Sequence, residues 1–451
     1  MDEGMTTIPA RLDSLPLTAI HLIAAIACAA GLGADLMEIS IGSALSAVFS
    51  TAPYSMSPER LSWLLSAVFV GAVIGAPLLG WLADRRGLKP VLAFALLWLC
   101  FTSLLAAASA DTNRLIVIRF LSGLSLGALP PLIIAYLTGI APPRFRGTYI
   151  FGACGVAFLA APAAVFSIRW LTPLQPWGIE GWRWPFAAAA LLSLGASAVL
   201  LYLPESPRWL VGASRTEAAE LACRQFEGSL PVWGTAELLQ NSLAAAPDNR
   251  TVPSYSTVTL TMSIARRVVF ITLLYFLQPW NSLGFNLLMG PILLARGYNL
   301  SNTLLVVGLA SFGPSISSIF ASFYIDHTER KTALAVCAVL AFAAAVAFFS
   351  TSLPGWTMMA VVVYSIAQGM YLPLMTTFGS EIFPTRVRAS ATSVAWAMNR
   401  VGSVLVPPGV LAAFHRGGLH VAAVFIYIPL IASFFLVVTK GPRGLTRRGV
   451  A

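Results

Sequence analysis

Polar residues along this chain fall in short clusters, and between them run apolar stretches long enough to cross a bilayer. About twelve can be marked, near 17–47, 61–82, 88–109, 114–138, 147–168, 183–203, 268–294, 302–325, 332–352, 355–378, 389–413 and 419–439. A span needs about 20 residues. A backbone facing lipid must satisfy its own hydrogen bonds, so each run is predicted to be a helix. Most connections are short. The exception is 204–266, where Glu217 to Gln225 and Ala236 to Ala245 have the pattern of amphipathic interfacial helices. The chain thus divides into six spans (1–203), a linker (204–266), and six further spans with a basic tail (267–451). The linker is too small and too polar to hold a catalytic domain with its own core.

The two sets of spans echo each other at a constant offset of 242 residues. The polar turn Gly80-Trp81-Leu82-Ala83-Asp84-Arg85-Arg86-Gly87-Leu88-Lys89 pairs Asp84 with Asp326 and Lys89 with Lys331. The same shift carries Gly127 to Gly369, Pro131 to Pro373, Arg144 to Arg386 and Arg146 to Arg388. One offset across separate motifs argues for a duplicated half. Duplicated membrane halves build transporters with the binding site between them.

Composition agrees: 57% of the 451 residues are hydrophobic and 10% charged, against roughly 25% charged in soluble domains. The net charge of +10 could suggest a nucleic-acid partner, but its placement does not. With both termini inside, 20 of the 28 Lys and Arg fall on the cytoplasmic face, six outside, and two, Arg119 and Arg400, within spans. That asymmetry sets orientation and makes the basic excess topological, with no nucleic acid implied. Cys28, Cys100, Cys154, Cys223 and Cys337 are scattered without metal-ligand or redox spacing, so no metal and no cofactor are expected. The first apolar run is too long for a cleaved signal peptide and is expected to stay.

The turn at 80–89 resembles the Gly-x-x-x-Asp-Arg-x-Gly-x-Lys signature between the second and third helices of the major facilitator superfamily. Arg119-x-x-x-Gly123-x-x-x-Gly127 is similar to its fourth-helix motif. Pro204-Glu205-Ser206-Pro207-Arg208-Trp209-Leu210 and Glu381-Ile382-Phe383-Pro384-Thr385-Arg386-Val387-Arg388 resemble the sugar-porter-type sequences after helices six and ten. The resemblance covers about 17–439. It implies an all-α membrane protein of twelve helices in two pseudo-symmetric six-helix bundles. It also implies alternating access, with helices one, four, seven and ten facing a central cavity. Gating would then fall to Gly80, Asp84, Arg85, Gly87, Asp326, Glu381, Arg386, Arg388, Glu205 and Arg208. The plain alternative is that these charges anchor loops and orient the chain. There are departures. The second copy of the turn, around Asp326, lacks both glycines, and Gly139 stands where Glu381 has its counterpart. The antiporter-type fifth-helix pattern is poorly kept after Gly152-x-x-Gly155.

Ionisable residues inside spans are costly and point to function. Of 18 acids only Asp35 and Glu38 lie deep in a span, three apart on one helix face. Two carboxylates in a poorly hydrated site do not both ionise cheaply, so one can carry a proton near neutral pH. Arg119 is the expected counter-charge and completes a proton-coupling set. The alternative is a static buried ion pair. Arg400 lies near mid-membrane, and a guanidinium there calls for a carboxylate or phosphate. The second half offers no buried acid, which favours a substrate carboxylate. Pairing with Asp35 or Glu38 across the cavity is the alternative. The Arg-x-Gly stretch at 400–402 also resembles the eleventh helix of the superfamily's organic-anion branch. Gln278, Trp280, Asn281 and Asn286 in the seventh span, Tyr364, Gln368 and Tyr371 in the tenth, and Asn399 beside Arg400 complete a candidate substrate site. Aromatic rings with amide donors suit a small cyclic acid. Tyr136 lies near the inner end of the fourth span. His21, His327, His415 and His420 are expected at span ends, facing headgroups or water.

The expectation is a proton-coupled symporter of a small aromatic or heterocyclic carboxylate, a monomer in a bacterial inner membrane with both termini cytoplasmic. The alternatives are a sugar, polyol or organic-cation transporter of the same fold, or a membrane sensor that binds without transporting. A membrane enzyme is disfavoured: no nucleophile–base set or phosphate loop is in view, and no catalytic residue is assigned.

Overall fold

The computed structural model describes residues 7–49, 54–109, 111–142, 145–232, 263–324, 328–383 and 385–442. In the first half, α1 (Ile8–Asp13) precedes α2 (Ala19–Phe49), α3 (Pro58–Arg86) and α4 (Leu88–Ala108). The fourth crossing is two helices, α5 (Thr112–Leu126) and α6 (Leu129–Ile140), and so is the fifth, α7 (Arg146–Phe158) and α8 (Ala160–Leu174). Helix α9 (Trp184–Tyr202) closes the set, followed by the short α10 (Pro207–Gly212) and α11 (Thr216–Glu227). The second half has α12 (Ile264–Ala295), α13 (Leu300–Ala310), α14 (Gly313–Tyr324), α15 (Arg330–Ser350), α16 (Pro354–Glu381) and α17 (Thr385–Lys440).

Among the described residues, eleven continuous segments are long and apolar enough to cross a membrane, and the last runs 47 residues from Val394 to Lys440. That is more than twice the ~20 a crossing needs. It breaks at Gly418, whose φ of 66° and ψ of −161° leave the helical region. A Cβ on Gly284 would meet both Val410 and Ile426, so the two legs lie side by side against α12. Twelve crossings result. The protein is a multi-pass, all-α membrane protein; among the described residues one isolated antiparallel bridge, Thr18 to Pro231, lies outside the helices.

Close helix approach follows the repeat. A Cβ on Gly71 of α3 would collide with the Phe120 carbonyl and Gly123 of α5, and one on Gly127 with Ala72. In the second half a Cβ on Gly313 of α14 would collide with Ser365 of α16, and one on Gly369 with Pro314. Each contact in the second list is its first-half partner shifted by 242 residues. Small residues let backbones meet where lipid offers no hydrophobic drive to hold helices together. Between the halves, α3 packs along α17, α7 and α8 along α14 and α13, and α2 against α12. One apolar core runs through the first half into Phe285–Leu293 of α12 and Leu304–Ala310 of α13. The end of the second half near Phe270, Leu334, Phe378 and Val437 forms its own core.

A polar cap covers one end of the first half. Arg11 of α1 donates from Nε and Nη2 to Glu227 at 2.8 Å and from Nη1 to Glu220 at 2.7 Å. Helix α11 coincides with the expected amphipathic segment around Glu217 to Gln225; the Ala236 to Ala245 segment lies outside the described residues. His21 corrects the expectation of a headgroup-facing ring. It is fully buried. Its Nδ1 accepts the Thr18 amide at 3.1 Å, its Nε2 donates to the Ile140 carbonyl at 3.1 Å, and its ring packs on Phe226. The cap covers the helix end and removes His21 from water.

Substituting Gly123→Val forces a side chain into the Val68 carbonyl and is expected to cost at least ~1–3 kcal/mol, as overpacking does. Gly80→Ala meets open space and should leave the melting temperature in detergent unchanged. Equal melting of the two variants would contradict this packing.

Candidate functional site

Asp35, Glu38, Arg119 and Arg400 lie buried within spans, and the fold answers them unequally. Glu38 and Arg119 form a closed pair. Arg119 Nη1 donates to Glu38 Oε2 at 2.9 Å and to the Glu38 carbonyl at 2.9 Å, and Ser103 Oγ of α4 donates to Oε1 at 2.6 Å. Both side chains are about 1% exposed or less. The Arg119 guanidinium also faces the Phe186 ring, 5.9 Å from its centroid. The pair ties α2, α4, α5 and α9 together. Ser103 was not visible as a partner from sequence, because nothing in the third apolar run marks which serine meets α2.

Asp35, one turn before Glu38, does not touch Arg119. Its Oδ1 is buried without a hydrogen-bond partner. The charges that act on it are Arg400 of the second half and Glu38. Arg400 in turn is buried, with Asp35 as the charge acting on it. Its Nη2 donates to the Leu126 carbonyl at 3.2 Å, its guanidinium lies 5.1 Å from the Trp396 ring centroid, and its Nε has no partner. The acid that acts on Arg400 therefore comes from the first half, which is the alternative of pairing across the cavity.

The amides of the candidate substrate set split into satisfied and unsatisfied groups. Asn399 Nδ2 donates to Gln278 Oε1 at 2.9 Å and to the Tyr275 carbonyl at 3.0 Å, and Gln278 Nε2 donates to Ser282 at 2.9 Å. Tyr364 donates to the Asn281 carbonyl at 2.7 Å and stacks on Phe285 at 3.8 Å between centroids. Both amide atoms of Asn281, and Oε1 of Gln368, are buried without partners. Three other residues do not join. Trp280, two positions from Gln278, turns to Phe425 at 6.0 Å on the second leg of α17. Tyr371 sits in the second half's own end core. Asn286 is exposed beyond Phe285.

The expected gating residues divide in the same way. Gly87 has φ 116° and turns the chain between α3 and α4. Glu205 accepts the Lys89 amide at 3.0 Å and the Ser206 amide at 2.8 Å, answering the open amides at a helix start. Burial raises the Glu205 carboxyl above its ordinary value, against the pull of those amides. Arg208 donates to the Thr138 and Ala141 carbonyls at 2.9 and 3.0 Å, closing the end of α6, and pairs with Asp13. Tyr136 donates to the Pro204 carbonyl at 2.8 Å. Arg85 lies over Trp81 at 4.1 Å. Asp84 is exposed, and Gly80 has open space around it. Asp326 and the side chains of Glu381, Arg386 and Arg388 lie outside the described residues.

Residues 23–407 match the family model described as Major Facilitator Superfamily. The chain belongs to that superfamily. It is a membrane transporter and not an enzyme. It is 26% identical over 430 residues to the arabinose-proton symporter of Bacillus subtilis (strain 168), covering 89% of this chain and 90% of the relative. It is 23% identical over 459 residues to the niacin transporter NiaP of Acinetobacter baylyi, covering 98% of each. The xylose transporter XylE from E. coli, in a partially occluded inward open conformation, shares the fold with a TM-score of 0.71 at 18% identity. That match covers 93% of this chain and 98% of XylE.

Two outcomes follow. Glu38→Gln leaves Arg119 buried without its counter-charge, and losing one member of a buried pair costs ~3–5 kcal/mol. Asp35→Asn breaks no hydrogen bond and should lower the detergent melting temperature far less; equal losses would contradict the division. In the cap, Arg11 holds the Glu220 and Glu227 carboxyls below their ordinary value. Their contribution is complete above the unfolded value near 4.5 and is lost as pH falls through the lower folded values. Amide exchange in α1 and α11, corrected for intrinsic rate, should therefore accelerate below about pH 4.5. Arg11→Gln should show the fast exchange already at pH 7; unchanged exchange in that variant would contradict the account.

Proposed function

We propose that this transporter is a proton-coupled symporter of a small organic anion, of the aromatic or heterocyclic carboxylate type, working by alternating access. One observation carries the reading. Arg400 is a permanent charge at mid-membrane whose acidic neighbour, Asp35, comes from the other half and makes no hydrogen bond to it. A carboxyl so placed can be neutralised by one proton. Once it is, Arg400 is left without a counter-charge in a medium where that costs several kcal/mol. A substrate carboxylate restores the balance and offers guanidinium-compatible oxygens. One proton and one monoanion then cross together with no net charge. Glu38 is already engaged by Arg119 and Ser103, so each of its oxygens has a donor. Asn281 and Gln368 offer amide atoms that can hydrogen-bond the substrate's ring substituents. The likeness to the niacin transporter supports a heterocyclic acid.

A second reading has its own support. The unpartnered amides of Asn281 and Gln368 also suit hydroxyl groups, and the arabinose-proton symporter is among the relatives. A neutral sugar, however, leaves Arg400 uncovered when Asp35 is protonated. Uptake into proteoliposomes under an inward proton gradient separates the two. Nicotinate or benzoate should compete for transport and pentoses should not. Arg400→Ala should lower uptake at least tenfold, mainly through KM. Pentose uptake that survives Arg400→Ala would overturn the anion reading.

A further inference from the structure

The fourth crossing carries Pro130 and Pro131 in succession, at the first turn of α6. Proline has no amide hydrogen and frees the carbonyl four residues earlier. Here those carbonyls belong to Leu126 and Gly127, at the end of α5. Both are taken by the other half of the molecule. Arg400 Nη2 donates to Leu126 at 3.2 Å, and Trp396 Nε1 donates to Gly127 at 3.1 Å. The two donors are one helical turn apart on α17 and the two acceptors adjacent on α5. The donor helix and the acceptor helix belong to different halves, so the bonds cross the plane along which the halves move.

We propose that the Pro130–Pro131 pair builds a latch between the two halves: it exposes two backbone carbonyls at mid-membrane that hold Trp396 and Arg400 and fix the conformation seen here. Three features agree. The end of a helix carries partial negative charge, which favours the Arg400 guanidinium. Trp396 places its ring under the same guanidinium, so it positions Arg400 as well as bonding to Gly127. Gly127 lacks a side chain, and a Cβ there would collide with Ala72, so α5 and α3 approach closely at this level. The second half does not repeat the device. The residue 242 positions after Pro130 is Leu372, and α16 runs unbroken through the single Pro373. The latch is thus one-sided: acceptors from the first half, donors from the second.

The latch has a consequence for Arg400. The guanidinium cannot turn fully to a ligand while it serves the Leu126 carbonyl, so ligand binding and release of α17 from α5 are linked. This consequence rests on the anion reading. The latch itself does not, and its test needs no substrate. Spin labels at Glu217→Cys and Lys440→Cys report the distance between the halves. Both positions are exposed, while the native cysteines are buried. Trp396→Phe keeps the ring and removes the donor; it should change the ratio of the two distance populations about fivefold, the effect of one ordinary hydrogen bond. Pro131→Ala restores an amide that takes the Gly127 carbonyl, and should shift the ratio the same way. In the Pro131→Ala background Trp396→Phe should then add nothing. An unchanged ratio in Trp396→Phe overturns the proposal, and so does a Trp396→Phe shift of full size in the Pro131→Ala background. If Pro131→Ala does not fold, Trp396→Phe against the native protein decides alone.

Discussion

A charge inside a membrane protein must be answered by a partner close at hand, because neither lipid nor water is there to do it. That constraint sorts Glu38, Arg119, Asp35 and Arg400 into two kinds. Glu38 and Arg119 answer each other, with Ser103 completing the carboxylate, and all of these residues belong to one half. Such a pair can ride through a conformational change intact. Asp35 and Arg400 belong to different halves and keep open atoms. Any movement of one half against the other changes what these two feel. On the proposed reading, the transporting chemistry belongs with the unsatisfied pair, and the satisfied pair ties helices of the first half together around it.

Backbone chemistry reinforces the division. Glycines at 71, 123 and 127 bring α3 and α5 into contact, and Gly313 and Gly369 do the same for α14 and α16. These contacts make each half a compact body. Among the described residues, the side-chain bonds between the bodies are few: Trp396 and Arg400 of α17 on carbonyls of α5, Ser66 on the Val404 carbonyl at 3.4 Å, Thr148 on the Ser322 carbonyl at 3.1 Å, and Arg169 on Ser301 at 3.1 Å. Few directional bonds between two well-packed bodies is an arrangement that can exist in two discrete positions.

Much of this was legible in the sequence. Twelve apolar runs and a 242-residue echo fix the spans, and the echo returns as equivalent glycine contacts. The buried charges were visible as exceptions in an oily chain. What the sequence hid was pairing. Asp35 and Glu38 share a face, and nothing in their spacing tells which meets Arg119; that depends on Ser103 of α4 and on how far α5 slides along α2. Trp280 looked like a site residue because it sits among Gln278 and Asn281, yet two residues along a helix is more than half a turn, and it faces α17's second leg. His21 looked like a span-end residue because the linker that buries it returns from 200 residues away. Pro130 and Pro131 were the readable trace of the contact with α17, since a proline pair announces two carbonyls in search of donors.

The most direct measurement adds a ligand to proteoliposomes and records internal pH and net current together. With nicotinate, the account predicts internal acidification and no net current, because one proton accompanies one carboxylate, and it predicts that Asp35→Asn abolishes the acidification. Acidification with inward positive current on adding xylose, and neither signal with nicotinate, would contradict it.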